Sequence, residues 1–239
     1  MNTTPKTQQT SLILLAGGKG TRLQAVVSDV PKPLAPVGGR PFLEWQLRYW
    51  ARYGATDVIL SAGHLAEVVD RFAAGRDGVR VVREPEPMGT GGAIRYCARQ
   101  VRLSDPFLVA NADSLVIADL AGFLDCPEPI DGKLLAIEVE DASRFGTVEV
   151  DPAGLLRGFR EKRPGRGWIN GGVYLFRRSL LDRFPDRTPL SIETEVFPHL
   201  LESGAKLQVV EQQADFLDIG TPESFARGEA FVARHFSRH

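Results

Sequence analysis

Residues 11–16 (SLILLA) form a continuous apolar run that stops abruptly at GGKGTRL. A run with no polar face suits a strand covered on both sides, as in a parallel sheet. The next pattern differs. Residues 41–53 (PFLEWQLRYWARY) open on a proline and put Phe42, Leu43, Trp45 or Gln46, Leu47, Trp50 and Ala51 on one stripe. That is helical spacing, with Gly54 as the stop. Strand-like runs at 57–61, 79–83 and 105–110 then alternate with helical segments at 64–73 and 91–101. The order β-α-β-α-β-α-β predicts a parallel sheet with helices on both faces and right-handed crossovers.

Beyond residue 113 the rhythm changes. Strands are predicted at 133–139, 146–150, 155–160 and 172–176, and Asp151-Pro152-Ala153-Gly154 reads as a hairpin turn. A helix at 193–203, a strand at 207–211 and a terminal helix at 222–236 complete the pattern. The expected fold class is α/β, a Rossmann-like mixed, mainly parallel sheet flanked by helices, with residues 1–239 as one domain.

Composition narrows the function classes. With 43% hydrophobic and 25% charged residues the chain is ordinary globular material. Its 29 Lys+Arg against 30 Asp+Glu leave no net field to draw it to nucleic acid or to a membrane. Cys97 and Cys126 form no C-x-x-C pair, which argues against a zinc or redox motif and for a reducing compartment. The polar segment MNTTPKTQQT lacks the apolar stretch of a signal peptide, so a soluble, cytoplasmic protein is expected. Phe225, Phe231, Val232 and Phe236 on the terminal helix leave its own core or a second copy of the chain, a homodimer, as its neighbour.

Candidate chemistry begins where the first strand ends. In Leu15-Ala-Gly-Gly-Lys-Gly-Thr-Arg-Leu23, glycines let the backbone approach a ligand and point N–H groups at phosphate oxygens. Arg22 adds a fixed fork of donors. The segment is neither a P-loop nor a dinucleotide fingerprint, and by its glycines alone it is equally a plain turn. In Val30-Pro-Lys-Pro-Leu34, prolines on both sides hold Lys32 in a narrow range of directions. Asp113 and Asp218 each follow an apolar strand run. Singly they read as turn residues. Together they are expected at one carboxyl edge of a parallel sheet, where open α/β sheets bind ligands.

GGKGTRL followed by PKPLAPVGGRP resembles the signature of the sugar 1-phosphate nucleotidyltransferases, and further motifs follow in order: PMGTGGA, FLVANADS, RFGTV, FREK, INGGVY and FLDIGTP. The resemblance runs from about Leu12 to Glu229, and Ala112 replaces the family's usual glycine in N-G-D-S. It implies a glycosyltransferase-A-like nucleotidyltransferase fold, with a nucleotide-binding half at 11–115 and a sugar-binding half at 116–239. It further implies that Leu15, Ala16, Gly17, Gly18, Gly20 and Thr21 wrap the nucleotide phosphates, with Glu84, Gly89, Thr90 and Asn111 around the rest of the nucleotide. Arg22 would hold the departing pyrophosphate, Lys32 phosphate oxygens and Lys162 the sugar phosphate. Gly146, Glu161, Asn170 and Gly171 would meet the sugar, and Asp113 and Asp218 would bind Mg2+. Within the family, the runs LAGGKGTRLQAVVSDVPKPLAPVGGRPFLEW and INGGVYLF are most similar to the heptose 1-phosphate guanylyltransferases. That implies GTP and a manno-configured heptose 1-phosphate as substrates, and a carboxylate at Glu84 suits the N1–H and amine of guanine. UTP with an N-acetylmuramate or hexose 1-phosphate is the alternative pair, and a non-catalytic regulatory subunit the alternative class.

Overall fold

A computed structural model describes residues 10–18, 23, 29–160 and 164–236. β1 (Ser11–Leu15) leads to a short ribbon of β2 (Pro36–Val37) and β3 (Arg40–Pro41), then α1 (Phe42–Ala51), β4 (Asp57–Ala62), α2 (Ala66–Ala73), β5 (Val79–Arg83), α3 (Gly89–Gln100) and β6 (Phe107–Asn111). β1 pairs in parallel with β4 on one side and β6 on the other, and β4 with β5. The chain therefore steps outward from β1 to β5 and returns across the sheet to β6. This reversal opens a crevice at the carboxyl ends of β1 and β6.

The continuous apolar runs have the expected cause. Leu12, Leu14 and Leu60 pack with Phe42, Leu43 and Trp50 of α1 and Val69 of α2. Ile13, Ile59 and Val109 pack with Ile94 and Cys97 of α3 on the opposite face. Successive strand residues point to opposite faces, and here both faces are covered.

The second half comprises β7 (Ser114–Ile117), β8 (Gly132–Val139), β9 (Thr147–Val150), β10 (Leu156–Arg160), β11 (Gly167–Phe176), α4 (Phe197–Glu202), β12 (Leu207–Gln212), β13 (Asp215–Asp218), α5 (Pro222–Ala226) and α6 (Gly228–Phe236). β11 pairs antiparallel with β6 through residues 173–176 and with β8 along its length. β12 adds in parallel to β8, and the β9–β10 hairpin joins at Ile169. One nine-stranded mixed sheet thus runs through both halves of the described chain. The α/β class is as the sequence predicts.

Four details differ from the sequence reading. β11 begins at Gly167, not at 172, because the pair Gly171-Gly172 hides a strand that continues through a register shift between Asn170 and Tyr174. The helix read at 193–203 opens as a π-helical turn, Ile192–Val196, before α4. The terminal helix breaks between Ala226 and Gly228 into α5 and α6, and α5 is capped by Thr221, whose hydroxyl accepts from the Ser224 N–H. Finally, β13 does not join the large sheet. It pairs antiparallel with β7 in a separate two-stranded ribbon, so Asp218 reaches the site from that ribbon and not from the parallel-sheet edge.

Candidate active site

A cleft of about 630 Å³ lies outside the carboxyl ends of β1 and β6. One wall is the backbone leaving β1: Leu15, Ala16, Gly17 and Gly18. The Ala16 N–H donates to the Ser61 carbonyl (2.8 Å) and the Ala112 N–H to the Leu15 carbonyl (3.2 Å), fixing this strand end between its neighbours. Glu84 follows β5 and faces the cleft. Its Oε1 accepts from Ser61 Oγ (2.9 Å) and its Oε2 from the Met88 N–H (3.4 Å). A Cβ at Gly17 would run into that carboxylate, so a larger residue there would have to displace the Glu84 side chain.

The facing wall is the first turn of α3, with Met88, Gly89 and Thr90. Gly89 has φ +70°, and a Cβ there would come within 2.6 Å of the Leu190 carbonyl oxygen. The Leu190 N–H donates to the Met88 carbonyl (2.8 Å) and the Gly91 N–H to the Leu190 carbonyl (2.8 Å). Thr90 Oγ1 accepts from the Ile192 N–H (2.9 Å). The segment entering the π-helical turn is thereby stitched to the start of α3.

At the floor, Asn111 ends β6 and Asp113 sits in the following turn. Buried Gln46 of α1 clamps this turn. Its amide donates to the carbonyls of Asn111 (3.2 Å) and Ser114, while its Oε1 accepts from Trp50 Nε1 (3.1 Å). A 3-10 turn at Lys32–Leu34 aims Lys32, whose Nζ donates to Asp113 Oδ2 (2.7 Å) and Asp218 Oδ1 (3.3 Å). The Ile219 N–H reaches the Asp113 carbonyl (3.0 Å), and the Gly220 N–H reaches Asp218 Oδ1 (2.7 Å). Arg144 adds a second cation 3.7 Å from Asp218 Oδ2. Two carboxylates from opposite halves of the chain thus converge on one ammonium, whose side chain is only 11% exposed.

The remaining sector holds Asn170, Gly171 and Glu193, with Phe145 and Phe216 packed edge to face at 6.0 Å. Asn170 Nδ2 donates to Tyr174 Oη and to Glu193 Oε1, both at 2.7 Å, and its Oδ1 accepts from the Gly172 N–H (3.0 Å). Burial, and then the nearby Glu193 carboxylate, push the Tyr174 phenol above its ordinary range.

Residues 11–235 match the family model described as Nucleotidyl transferase. The chain belongs to the nucleotidyl transferase family. It is 38% identical over 238 residues to the mannose-1-phosphate guanylyltransferase of Mycobacterium tuberculosis, covering 95% of this chain and 66% of that protein. It is 33% identical over 218 residues to the D-glycero-alpha-D-manno-heptose 1-phosphate guanylyltransferase of Campylobacter jejuni, covering 89% of this chain and 96% of that protein. The crystal structure of HddC from Yersinia pseudotuberculosis complexed with GMP-PN superposes with a TM-score of 0.82 at 29% identity, covering 93% of this chain and 99% of that one. The chain thus spans about two thirds of the mannose relative and nearly all of the heptose relative. Membership of the nucleotidyltransferases brings an enzymatic class, nucleotidyl transfer.

Of the residues that the sequence singles out, Leu15, Ala16, Gly17, Gly18, Lys32, Glu84, Gly89, Thr90, Asn111, Asp113, Asn170, Gly171 and Asp218 all line this nucleotidyltransferase cleft. Gly146 does not, although its neighbour Phe145 does. Gly20, Thr21, Arg22, Glu161 and Lys162 lie outside the described residues. Sequence reasoning missed Glu193, Gln46 and Arg144. Gln46 had a signal, a lone amide on the apolar stripe of α1; Glu193 had none, because it depends on the π-helical turn. Among the described residues no group of three or more His, Cys, Asp or Glu gathers as a metal cluster. Asp113 and Asp218 are nonetheless hard oxygen donors that close on a single point. That set suits a divalent cation drawing its other oxygens from phosphate and water. No described helix is long and apolar enough to cross a membrane, and both cysteines are free and buried.

Proposed function

We propose that the protein transfers GMP from GTP to a manno-configured sugar 1-phosphate, D-glycero-α-D-manno-heptose 1-phosphate being the favoured acceptor, and releases pyrophosphate. The coarser part, sugar 1-phosphate guanylyltransferase activity, is supported by the names of the mannose and heptose relatives, both guanylyl transfer enzymes. The observation that carries the reading is the convergence of Asp113 and Asp218 on Lys32 beside the glycine-rich end of β1.

The chemistry asks for little acid–base work. The attacking group is a phosphate oxygen of the sugar 1-phosphate, already anionic at neutral pH, so no general base is required. It forms a bond to the α-phosphorus of GTP while the bond to the bridging α–β oxygen breaks, and the electron pair leaves with pyrophosphate. The obstacle is bringing two polyanions into line. Holding both in one cleft supplies on the order of 7–11 kcal/mol. Asp113 and Asp218 would hold Mg2+, which when bound neutralises phosphate charge. Lys32, with Arg22 and Lys162, cancels repulsion between the substrates. Glu84, already fixed by Ser61, presents its carboxylate toward a guanine edge. Residues 11–115 serve the nucleotide and 116–239 the sugar.

Mannose 1-phosphate is the second acceptor, favoured by the 38% identity to the mycobacterial enzyme. The deciding experiment is pyrophosphate release over a grid of four nucleoside triphosphates and several sugar 1-phosphates, with Mg2+ and with EDTA. Release only with GTP and the heptose 1-phosphate, abolished by EDTA, is expected. Release with mannose 1-phosphate alone replaces the acceptor, and release with UTP replaces the base. No release with any pair, from folded protein, returns the chain to a non-catalytic role.

A further inference from the structure

We infer that Glu193 is the specificity-determining acceptor for the ring hydroxyls of the sugar 1-phosphate, and that Asn170 is a positioning residue for it. The inference rests on the reaction proposed above.

It follows from an account of donors and acceptors. An amide side chain carries two N–H protons and one carbonyl oxygen. In Asn170 both protons are placed, on Tyr174 Oη and Glu193 Oε1, and the oxygen takes the Gly172 N–H. Asn170 therefore has no N–H left for a ligand. Glu193 is the opposite case. It lines the cleft and is exposed. A carboxylate has about four lone-pair sites, and Oε1 takes one bond from Asn170 while no hydrogen bond to Oε2 occurs among the described residues.

The neighbouring acid makes the contrast sharper. Glu195, on the same π-helical turn, accepts from the Ser191 N–H (2.6 Å) and pairs with Arg187. Glu195 holds the turn together, whereas Glu193 has no cationic partner among the described residues. Single π-helical turns occur frequently at functional sites. This one brings Glu193 within hydrogen-bond distance of Asn170, at the register shift in β11.

Charge then fixes how the acceptor lies. A carboxylate repels the sugar phosphate and attracts neutral hydroxyls. The phosphate is driven away from Glu193, and the hydroxyl edge turns to it, where the carboxylate's free lone pairs can accept from ring hydroxyls. The turn is also bonded to the nucleotide wall through Ile192 and Thr90, so the sugar-reading acid is held in register with the nucleotide loop.

The test compares wild type with Glu193→Gln, Glu193→Ala and Asn170→Ala, using GTP and whichever acceptor the grid selects. In Glu193→Gln, Asn170 keeps the amide oxygen and the new NH2 faces the cleft, a donor where an acceptor stood. The expected result is a rise of about 10- to 100-fold in KM for the sugar 1-phosphate, the range for a hydrogen bond to a charged group. KM for GTP and the thermal midpoint should stay put. The penalty should vanish for a deoxy acceptor lacking the hydroxyl concerned, and Asn170→Ala should add little in the Glu193→Ala background. A Glu193→Gln enzyme with unchanged KM for the sugar phosphate, or with both KM values raised alike, would overturn the assignment. So would an Asn170→Ala penalty that persists in full without Glu193. If wild type turns over no sugar 1-phosphate at all, the reaction itself is wrong and this assignment falls with it.

Discussion

The two halves of the molecule deliver their chemistry by different means. In the first, regular elements do the work: β1, β5, α3 and β6 end at the cleft and present main-chain groups, glycines and Asp113. In the second, three polar side chains of the cleft sit on irregularities or at a strand end. Asn170 lies at a bulge in β11, Glu193 on a π-helical turn, and Asp218 at the end of a two-stranded ribbon. The ribbon's other strand, β7, begins one residue after Asp113, so the second carboxylate leans on the chain that carries the first. Regular structure sets where the cleft lies; departures from it bring these three side chains to it.

If both halves feed one charged centre, the largest effects should be equal on the two sides. Asp113→Asn and Asp218→Asn are each expected to lower kcat by roughly 10²–10³, by analogy with loss of one preorganised electrostatic group. Each should also raise the Mg2+ concentration needed for half activity, and the double variant should lose far less than the product of the singles. Steady-state kinetics across a Mg2+ series measure this. An Asp218→Asn effect confined to KM for the sugar phosphate would break the equivalence and make the ribbon a sugar-binding device only.

A smaller effect separates glycines that shape the site from glycines that only turn the chain. Gly172 has φ +69°, and a Cβ there would strike the Asn111 amide, whereas Gly154, at φ +78°, has open space around it. Gly172→Ala carries both the backbone strain and the collision and should cost about 1–3 kcal/mol in urea unfolding, with lost activity. Gly154→Ala carries only the backbone term, roughly 1 kcal/mol, and should leave activity intact. Equal costs at the two positions would mean that the Asn111 contact is easily relieved.

The same division governs what could be read from the sequence. The order of the first half was legible because runs such as SLILLA are apolar at every core position, and the alternation with helical stripes is local. Its site followed from the same pattern, since strand ends carry the glycine turn and Asp113. The second half was legible as strands but not as a site. Glycines interrupt the apolar pattern of β11, and the β7–β13 pairing joins segments far apart in the chain. Motif order still singled out Asn170 and Asp218, which line the same cleft as the first-half residues. Glu193 needed the backbone itself, because an acid in SIETEV looks like a solvated helix face until the π-helical turn aims it inward.

The two thiols offer the mildest test of the comparison. Cys97 is on α3, in the first half, and burial pushes its thiol up to about 11, despite a hydrogen bond with Ser61. Cys126, in the second half, is also raised by burial, but Arg177 and Lys133 pull against that shift. The thiolate is the reactive form, so iodoacetamide at pH 8.5 should label Cys126 before Cys97, read by peptide mass spectrometry. Linkage gives a second readout. A thiol whose native pKa is raised from 9.0 to about 11 stabilises the fold fully below pH 9, and that contribution is lost as pH rises through 11. At pH 10 the loss from Cys97 is about 1 kcal/mol, and Cys97→Ala should flatten the alkaline slope by that amount. Faster labelling at Cys97 would mean that α3 opens readily, and the regular half would then be the mobile wall of the cleft.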